Sequence, residues 1–290
     1  MKQLHIARNL LNSLMLAEIL TACSNDQTIA PTENVGVVGG DKNTRVSAAV
    51  RLVKDGNFVF QYIKNGKLSG KISKVTGSDY RIEYTYDNSN PAGDLWITKK
   101  IYGMPGNWLK TELKYQVING ICVASENVTY GDSYQYKYSA HNLLDEVTIT
   151  NSVSDKIETR KYFYAPSGAT DGFRLYKIKT NITESGKIVS EKERTITYTP
   201  TPDKYPLNPG YTELDQHLPI FGKFSDLLPK DVYETGVTDN ILHQSLEKNT
   251  YSTDANGLVT SRTTEYINEY FPSGITYNSI LKYSTNWQGI

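Results

Sequence analysis

The sequence predicts an all-β protein: one large, curved antiparallel meander sheet or open barrel, with a proline-rich capping insert. Three observations carry that expectation. Tyrosine is abundant, 22 residues against 7 Phe, and it recurs at every second position. Tight polar turns separate one alternating run from the next. The connections are also too short for the crossover of a dozen residues or more that parallel pairing requires.

The chain begins with a segment that reads as a targeting signal. Lys2 and Arg8 give a positive start, Leu10-Leu11, Leu14-Met-Leu16 and Ile19-Leu20 an apolar middle that also holds Asn12, Ser13 and Glu18, and Leu20-Thr-Ala-Cys23 closes it. That last tetrad resembles the lipobox of bacterial lipoproteins. The resemblance implies cleavage before Cys23, lipid on Cys23, and a membrane as partner through that lipid. Residues 1–22 are then the signal peptide. Residues 23–43, with Pro31, Gly36 and Gly39-Gly40 and no sustained period, form a flexible tether. Residues 44–290 are a single all-β domain, an ordinary size for one such domain.

Within the domain the strands are expected in order. Side chains two apart share a face of a strand, so Phe58, Phe60 and Tyr62 line one side, as do Tyr80, Ile82, Tyr84 and Tyr86 opposite Arg81, Glu83 and Thr85. Tyr134, Tyr136 and Tyr138 alternate with Gln135 and Lys137, and Ile275, Tyr277, Leu281 and Tyr283 repeat the plan. One face is aromatic and aliphatic, the other charged and hydroxylated, which is the pattern of a sheet covered on one side. The first run is read as Arg45–Lys54, Phe58–Lys64, Lys67–Val75, Asp79–Asp87, Leu95–Tyr102, Trp108–Ile118, Ile121–Tyr130, Ser133–Ser139, Asp145–Asn151, Glu158–Tyr164, Arg174–Ile182 and Lys187–Tyr198. Asn65-Gly66 and Asn119-Gly120 are read as two-residue type I′ turns, which need positive φ at both positions.

Residues 200–242 break the rhythm. Pro200, Pro202, Pro206, Pro209, Pro219 and Pro229 remove backbone donors, so this stretch is not expected to be central strand. Leu214, Leu218, Ile220, Phe221, Phe224, Leu227 and Leu228 argue against disorder. The insert is expected to cap one end of the sheet or plug its concave side, with a short helical turn around Asp226–Leu228. Strands resume at Gln244–Tyr251, Gly257–Tyr270 and Ile275–Tyr283.

Two resemblances follow. Tyr251-Ser-Thr-Asp254-Ala-Asn-Gly257-Leu looks like a YD repeat of Rhs-type shell proteins, read here as shared hairpin physics. More broadly, the Cys23 lipobox, the Tyr-rich hairpin series and Leu218-Pro-Ile-Phe-Gly-Lys-Phe-Ser-Asp-Leu-Leu-Pro229 resemble Bacteroides-type lipoproteins of unknown function with a porin-like β-meander. That resemblance implies a strongly curved sheet in the cell envelope, at the outer membrane, and carries no catalytic residues. Porin-like describes the meander and not a pore. A membrane barrel needs an apolar, lipid-facing band about 25 Å tall, whereas these strands carry Lys, Glu and Arg along one face and Tyr along the other.

The formal charge balances at zero, which argues against nucleic acid as a partner, since phosphate binding needs a basic surface. Two cysteines, Cys23 and Cys122, make no disulfide framework. Cys122 alternates with Ile121 and Val123 and is placed on the polar face. Asp215-Gln216-His217 offers two metal-ligand types but falls short of the four a structural site takes, and is read as solvated loop. No cofactor, metal or catalytic residue is expected, and the chain is expected to be a monomer. Exposed Tyr and Trp stack on sugar rings, and loop ends are where β-folds meet ligands. Tyr62, Tyr84 and Trp108 are therefore the candidate ligand-binding residues, on a non-enzymatic module for a glycan or an envelope protein. A glycan-acting hydrolase, which needs paired carboxylates, and a structural or assembly role are the alternatives.

Overall fold

The structure, a computed structural model, describes residues 50–90, 93–166, 172–205, 209–239 and 241–289. Cys23, the signal segment and the tether lie outside the described residues. Sixteen strands follow one another as a meander, each pairing antiparallel with its sequence neighbours. They are β1 (Arg51–Asp55), β2 (Phe58–Tyr62), β3 (Ile72–Thr76), β4 (Tyr80–Asp87), β5 (Leu95–Gly103), β6 (Trp108–Ile118), β7 (Ile121–Asn127) and β8 (Asp132–Tyr138). The second half comprises β9 (Leu144–Asn151), β10 (Lys156–Pro166), β11 (Phe173–Glu184), β12 (Lys187–Pro202), β13 (Leu227–Thr238), β14 (Ile241–Thr253), β15 (Val259–Asn268) and β16 (Ile275–Ser284). β1 pairs with β16, Arg51 opposite Ser284 and Leu52 opposite Tyr283, so the sheet closes into a barrel. Closure removes both sheet edges.

The alternation read from the sequence sets the two faces. Phe58, Phe60 and Tyr62 are buried in the lumen while Val59 and Gln61 face out. Ile82 and Tyr84 point in, paired across the sheet with Ile101 and Lys99. Leu144, Val147, Leu175 and Ile178 extend the same inner layer. The outer wall carries opposite charges in directly paired positions. Lys137 faces Glu146 at 2.6 Å, Lys179 faces Glu193 at 3.2 Å, Lys248 faces Glu265 at 3.2 Å and Lys100 faces Glu112 at 3.5 Å. A Lys or Arg facing lipid at mid-depth costs about 2–4 kcal/mol each. A wall built on such rungs is therefore suited to water.

The turns divide between two ends. At the far end lie the hairpins β1–β2, β3–β4 and so on to β15–β16. At the opposite end, the plug end, lie the other hairpins and both ends of the described chain. Asn119 and Gly120 have φ of 52° and 81° and join Ile118 directly to Ile121, as a type I′ turn requires. Asn65-Gly66 differs. Among the two only Gly66 has positive φ, and the connection is a wider loop closed by Ile63 N–H to Lys71 O and Gly70 N–H to Ile63 O, both 2.8 Å. β3 therefore starts at Ile72, five residues after the expected Lys67. At Asp254–Leu258 the Asp254 carboxylate accepts the Asn256 and Leu258 amides at 2.9 Å each, which is the hairpin chemistry behind the YD-like sequence.

The proline-rich stretch is shorter than its composition suggests. β12 runs on to Pro202, and β13 occupies Leu227–Thr238 inside the expected insert. Pro229 lies opposite Tyr198 between two register shifts, where the ladder is already interrupted and no donor is missed. There is no helical turn at Asp226–Leu228. Among the described residues of this stretch the helical turn is a 3-10 turn at Gly210–Thr212. Of what remains, residues 209–226 turn into the lumen as a plug. Phe221 is fully buried and packs on Tyr115 and Tyr136. The plug also takes part in the backbone network of the wall, Cys122 N–H donating to Ile220 O and Leu175 N–H to Phe224 O, both 2.7 Å.

Candidate functional site

Between the plug and the far end lies a solvent-open cavity of about 470 Å³. Its walls are inward-facing side chains of β5–β8, β10 and β12–β15, and its floor is the plug from Gly210 to Gln216 with Phe221. The walls are charged. Lys99 shares its face with Ile97 and Ile101, Arg160 with Tyr162, Arg194 and Lys192 with Ile196, and Glu234 with Val232. Each is a charge in the parity of an apolar series, and that is the sequence signal by which these residues could have been found.

Two ion-pair groups organise the charges. In the first, Glu213 of the plug meets Arg160 at 2.9 Å, Lys192 at 3.6 Å and, closest of all, Arg194. Arg194 also grips Glu234 and donates to Tyr211 O at 2.7 Å. Burial by itself would raise the Glu213 carboxyl, but the Arg194, Arg160 and Lys192 charges outweigh it and hold the group well below the usual carboxylate range. In the second group, Asp215 accepts Lys99 Nζ at 2.6 Å, the Tyr115 hydroxyl at 3.4 Å and the His217 amide at 2.8 Å. The Tyr84 hydroxyl lies 3.2 Å from Asp215 Oδ1 and 2.9 Å from His217 Nδ1. Burial opposes ionisation of Asp215, and Lys99 followed by His217 overcome it, so its pKa is lowered. Burial pushes His217 down to about 4, with Asp215 acting the other way.

Asp215, Gln216 and His217 are thus buried and not solvated loop, because the plug carries them into the lumen. Cys122 is also corrected. It does alternate with Ile121 and Val123, but it is the residue that faces inward, fully buried, and burial raises its thiol. Such a thiol is inert. His141 and His243 lie elsewhere, His243 on Glu269 at 3.0 Å. Among the described residues no three His, Cys, Asp or Glu gather as a metal site.

The three candidate ligand-binding residues are not brought together. Tyr62 is 6% exposed, donates to Leu52 O and packs edge-on against Trp287 at the plug end. Tyr84, 4% exposed, is spent on Asp215 and His217. Trp108 is 56% exposed at the far end, over Gly103 and beside Lys110. Around it, on or beside the other far-end turns, Tyr130, Val153, Ile188, Ile241, Tyr270 and Phe271 are exposed as well. The rim of the cavity end therefore carries exposed apolar side chains among charged ones such as Lys156, Glu184 and Glu269.

No family model matches the sequence, and no curated protein matches it. Solved structures do. The chain is similar to a porin-like protein from Bacteroides vulgatus ATCC 8482, at 16% identity and a TM-score of 0.52, over 80% of this chain and 98% of that one. It is also similar to a porin-like protein from Bacteroides uniformis ATCC 8492, at 15% identity and a TM-score of 0.40, over 80% of this chain and 97% of that one. At this identity the first likeness speaks for the fold alone. Together with the closed meander it makes this chain a porin-like antiparallel β-barrel.

Proposed function

We propose that this is a lipid-anchored, non-enzymatic protein of the cell envelope whose plugged barrel holds a small polar ligand in its lumen. The cavity of about 470 Å³ carries the reading, since ligand sites are typically concave and about 300–1,000 Å³. The anchor rests on Cys23 and the residues before it. The charged outer wall agrees with tethering in place of insertion. β1 starts at the plug end, at Arg51, so an anchor on Cys23 would leave the cavity mouth at the end away from the membrane.

Charge speaks against catalysis. Cations hold the Glu213 and Asp215 carboxyls ionised, and a general acid must change protonation near neutral pH. One observation favours the hydrolase alternative. Glu247, whose carboxyl burial raises, and Glu234 face the cavity from adjacent strands, as diagonal neighbours across β13 and β14.

The test uses Ser245, a small lining residue. In thermal-shift screening of the whole chain against sugars, amino compounds and organic acids, at least one class should raise Tm, and Ser245→Trp should abolish the rise. A panel without any shift, or a shift that survives the filled cavity, overturns the lumenal site. Turnover of aryl glycosides lost in Glu247→Gln would make the protein a hydrolase. Loss of lipid labelling and of membrane recovery in Cys23→Ala tests the anchor.

A further inference from the structure

We infer that the cavity takes a ligand bearing a primary ammonium group, received by Glu247; this rests on the lumenal-ligand reading above. The wall's cations are already committed. Lys99 is on Asp215, Arg160 lies between Glu158 and Glu213, and Lys192 and Arg194 lie between Glu213 and Glu234. Arg262, the other guanidinium acting on Glu247, is engaged with Asp55 at 3.2 Å.

Glu247 stands apart from these pairs. It lines the cavity, accepts Asn249 Nδ2 at 2.7 Å, and among the described residues has no cation within ion-pair distance. Glu247 is therefore the acid of the cavity lining that no ion pair holds. A second observation points the same way. Gln216 also lines the cavity, is 5% exposed, and its Oε1 has no hydrogen-bond partner. An unfilled buried acceptor is costly and asks for a donor.

Tyr266 lies directly across the β14–β15 ladder from Glu247, and Tyr211 forms the adjoining floor. A carboxylate, a bare amide oxygen and tyrosine rings are together the chemistry of ammonium recognition, through charge-assisted hydrogen bonds and ring-face attraction. An anionic ligand finds no uncommitted cation. A neutral one leaves Glu247 without an ion-pair partner.

The experiment uses three five-carbon probes of equal length: 1,5-diaminopentane, 1,5-pentanediol and glutarate. Each is titrated calorimetrically into the whole chain in detergent. The diamine should bind most tightly, should weaken about tenfold or more in Glu247→Gln, and should weaken less in Gln216→Leu, with far-UV circular dichroism showing both variants folded. Diamine binding equal in Glu247→Gln, or absent altogether, overturns the assignment. Tighter binding of the diol or glutarate, abolished by Ser245→Trp, overturns the ammonium class and leaves the lumenal site standing. Binding that Ser245→Trp does not touch overturns both.

Discussion

Lys99 reaches inward from β5 and sets its ammonium 2.6 Å from the Asp215 carboxylate, an acid side chain with no exposed surface. This pair fastens the plug to the wall. Removing one partner of a buried pair strands the other's charge and typically destabilises by about 3–5 kcal/mol. Lys99→Met should lose that order of stability in urea unfolding. The double variant Lys99→Met/Asp215→Leu should regain much of it, because no charge is then stranded.

His217 makes the plug acid-sensitive. Its folded pKa, about 4, lies below its ordinary value of 6.5, so the unfolded chain binds the proton more readily. Stability from this residue is complete above about pH 6.5 and drains as pH falls toward 4. The full loss is on the order of 3 kcal/mol. Asp215, Lys99 and Tyr84 face the ring with Phe60. Asp215, its pKa lowered, loses its own contribution only as pH falls further, below the usual carboxylate range. His217→Asn keeps a polar side chain but takes no proton. Its stability curve should be flatter than that of the parent between pH 6.5 and 4 in parallel denaturation series.

Much of this architecture can be read from parity. The alternation at Phe58, Phe60 and Tyr62 assigned inner and outer faces correctly, and Asn119-Gly120 gave its turn. Both are properties of neighbouring residues. Pro229 hid β13, because whether a missing donor matters depends on a register shift in another strand. The burial of Asp215 and His217 was equally hidden. Their partners Lys99, Tyr84 and Tyr115 sit a hundred residues or more away. Cys122 shows the intermediate case, in which alternation was visible and its phase was not.

If the plug is integral to the core, Phe221→Ala should be severe. The ring is fully buried against Tyr115 and Tyr136, and such truncations cost about 3–5 kcal/mol. Trp108→Ala, at an exposed rim position, should change stability by less than about 1 kcal/mol. Equal midpoints for the two variants in guanidinium unfolding would show the plug to be dispensable.

Gly222 marks where the plug passes the β8–β9 loop. Its φ is 84°, and a Cβ there would lie 2.6 Å from Asn142 O. Gly222→Ala therefore combines backbone strain of about 1–2 kcal/mol with a contact against rigid main chain. Gly120, with φ of 81° and open space around it, should lose only the strain on the same change. The two variants' Tm values, compared side by side, should rank Gly222→Ala lower.

The β1–β16 seam has a bearing on chain connectivity. Every other pairing joins strands adjacent in sequence, and the seam alone brings Arg51 to Ser284. The wall is thus a ring in which no hairpin is privileged by its position along the chain. Joining the two ends and reopening the ring at Asn119-Gly120 would preserve all the lumenal ion pairs, because that turn contributes none of them. Reopening it between β12 and β13 would leave the plug held by the chain at one end only, and otherwise by its ion pairs with Lys99, Arg160, Lys192 and Arg194 and its backbone bonds to Cys122 and Leu175. Among the described residues, the ring's asymmetry lies in that inward connection.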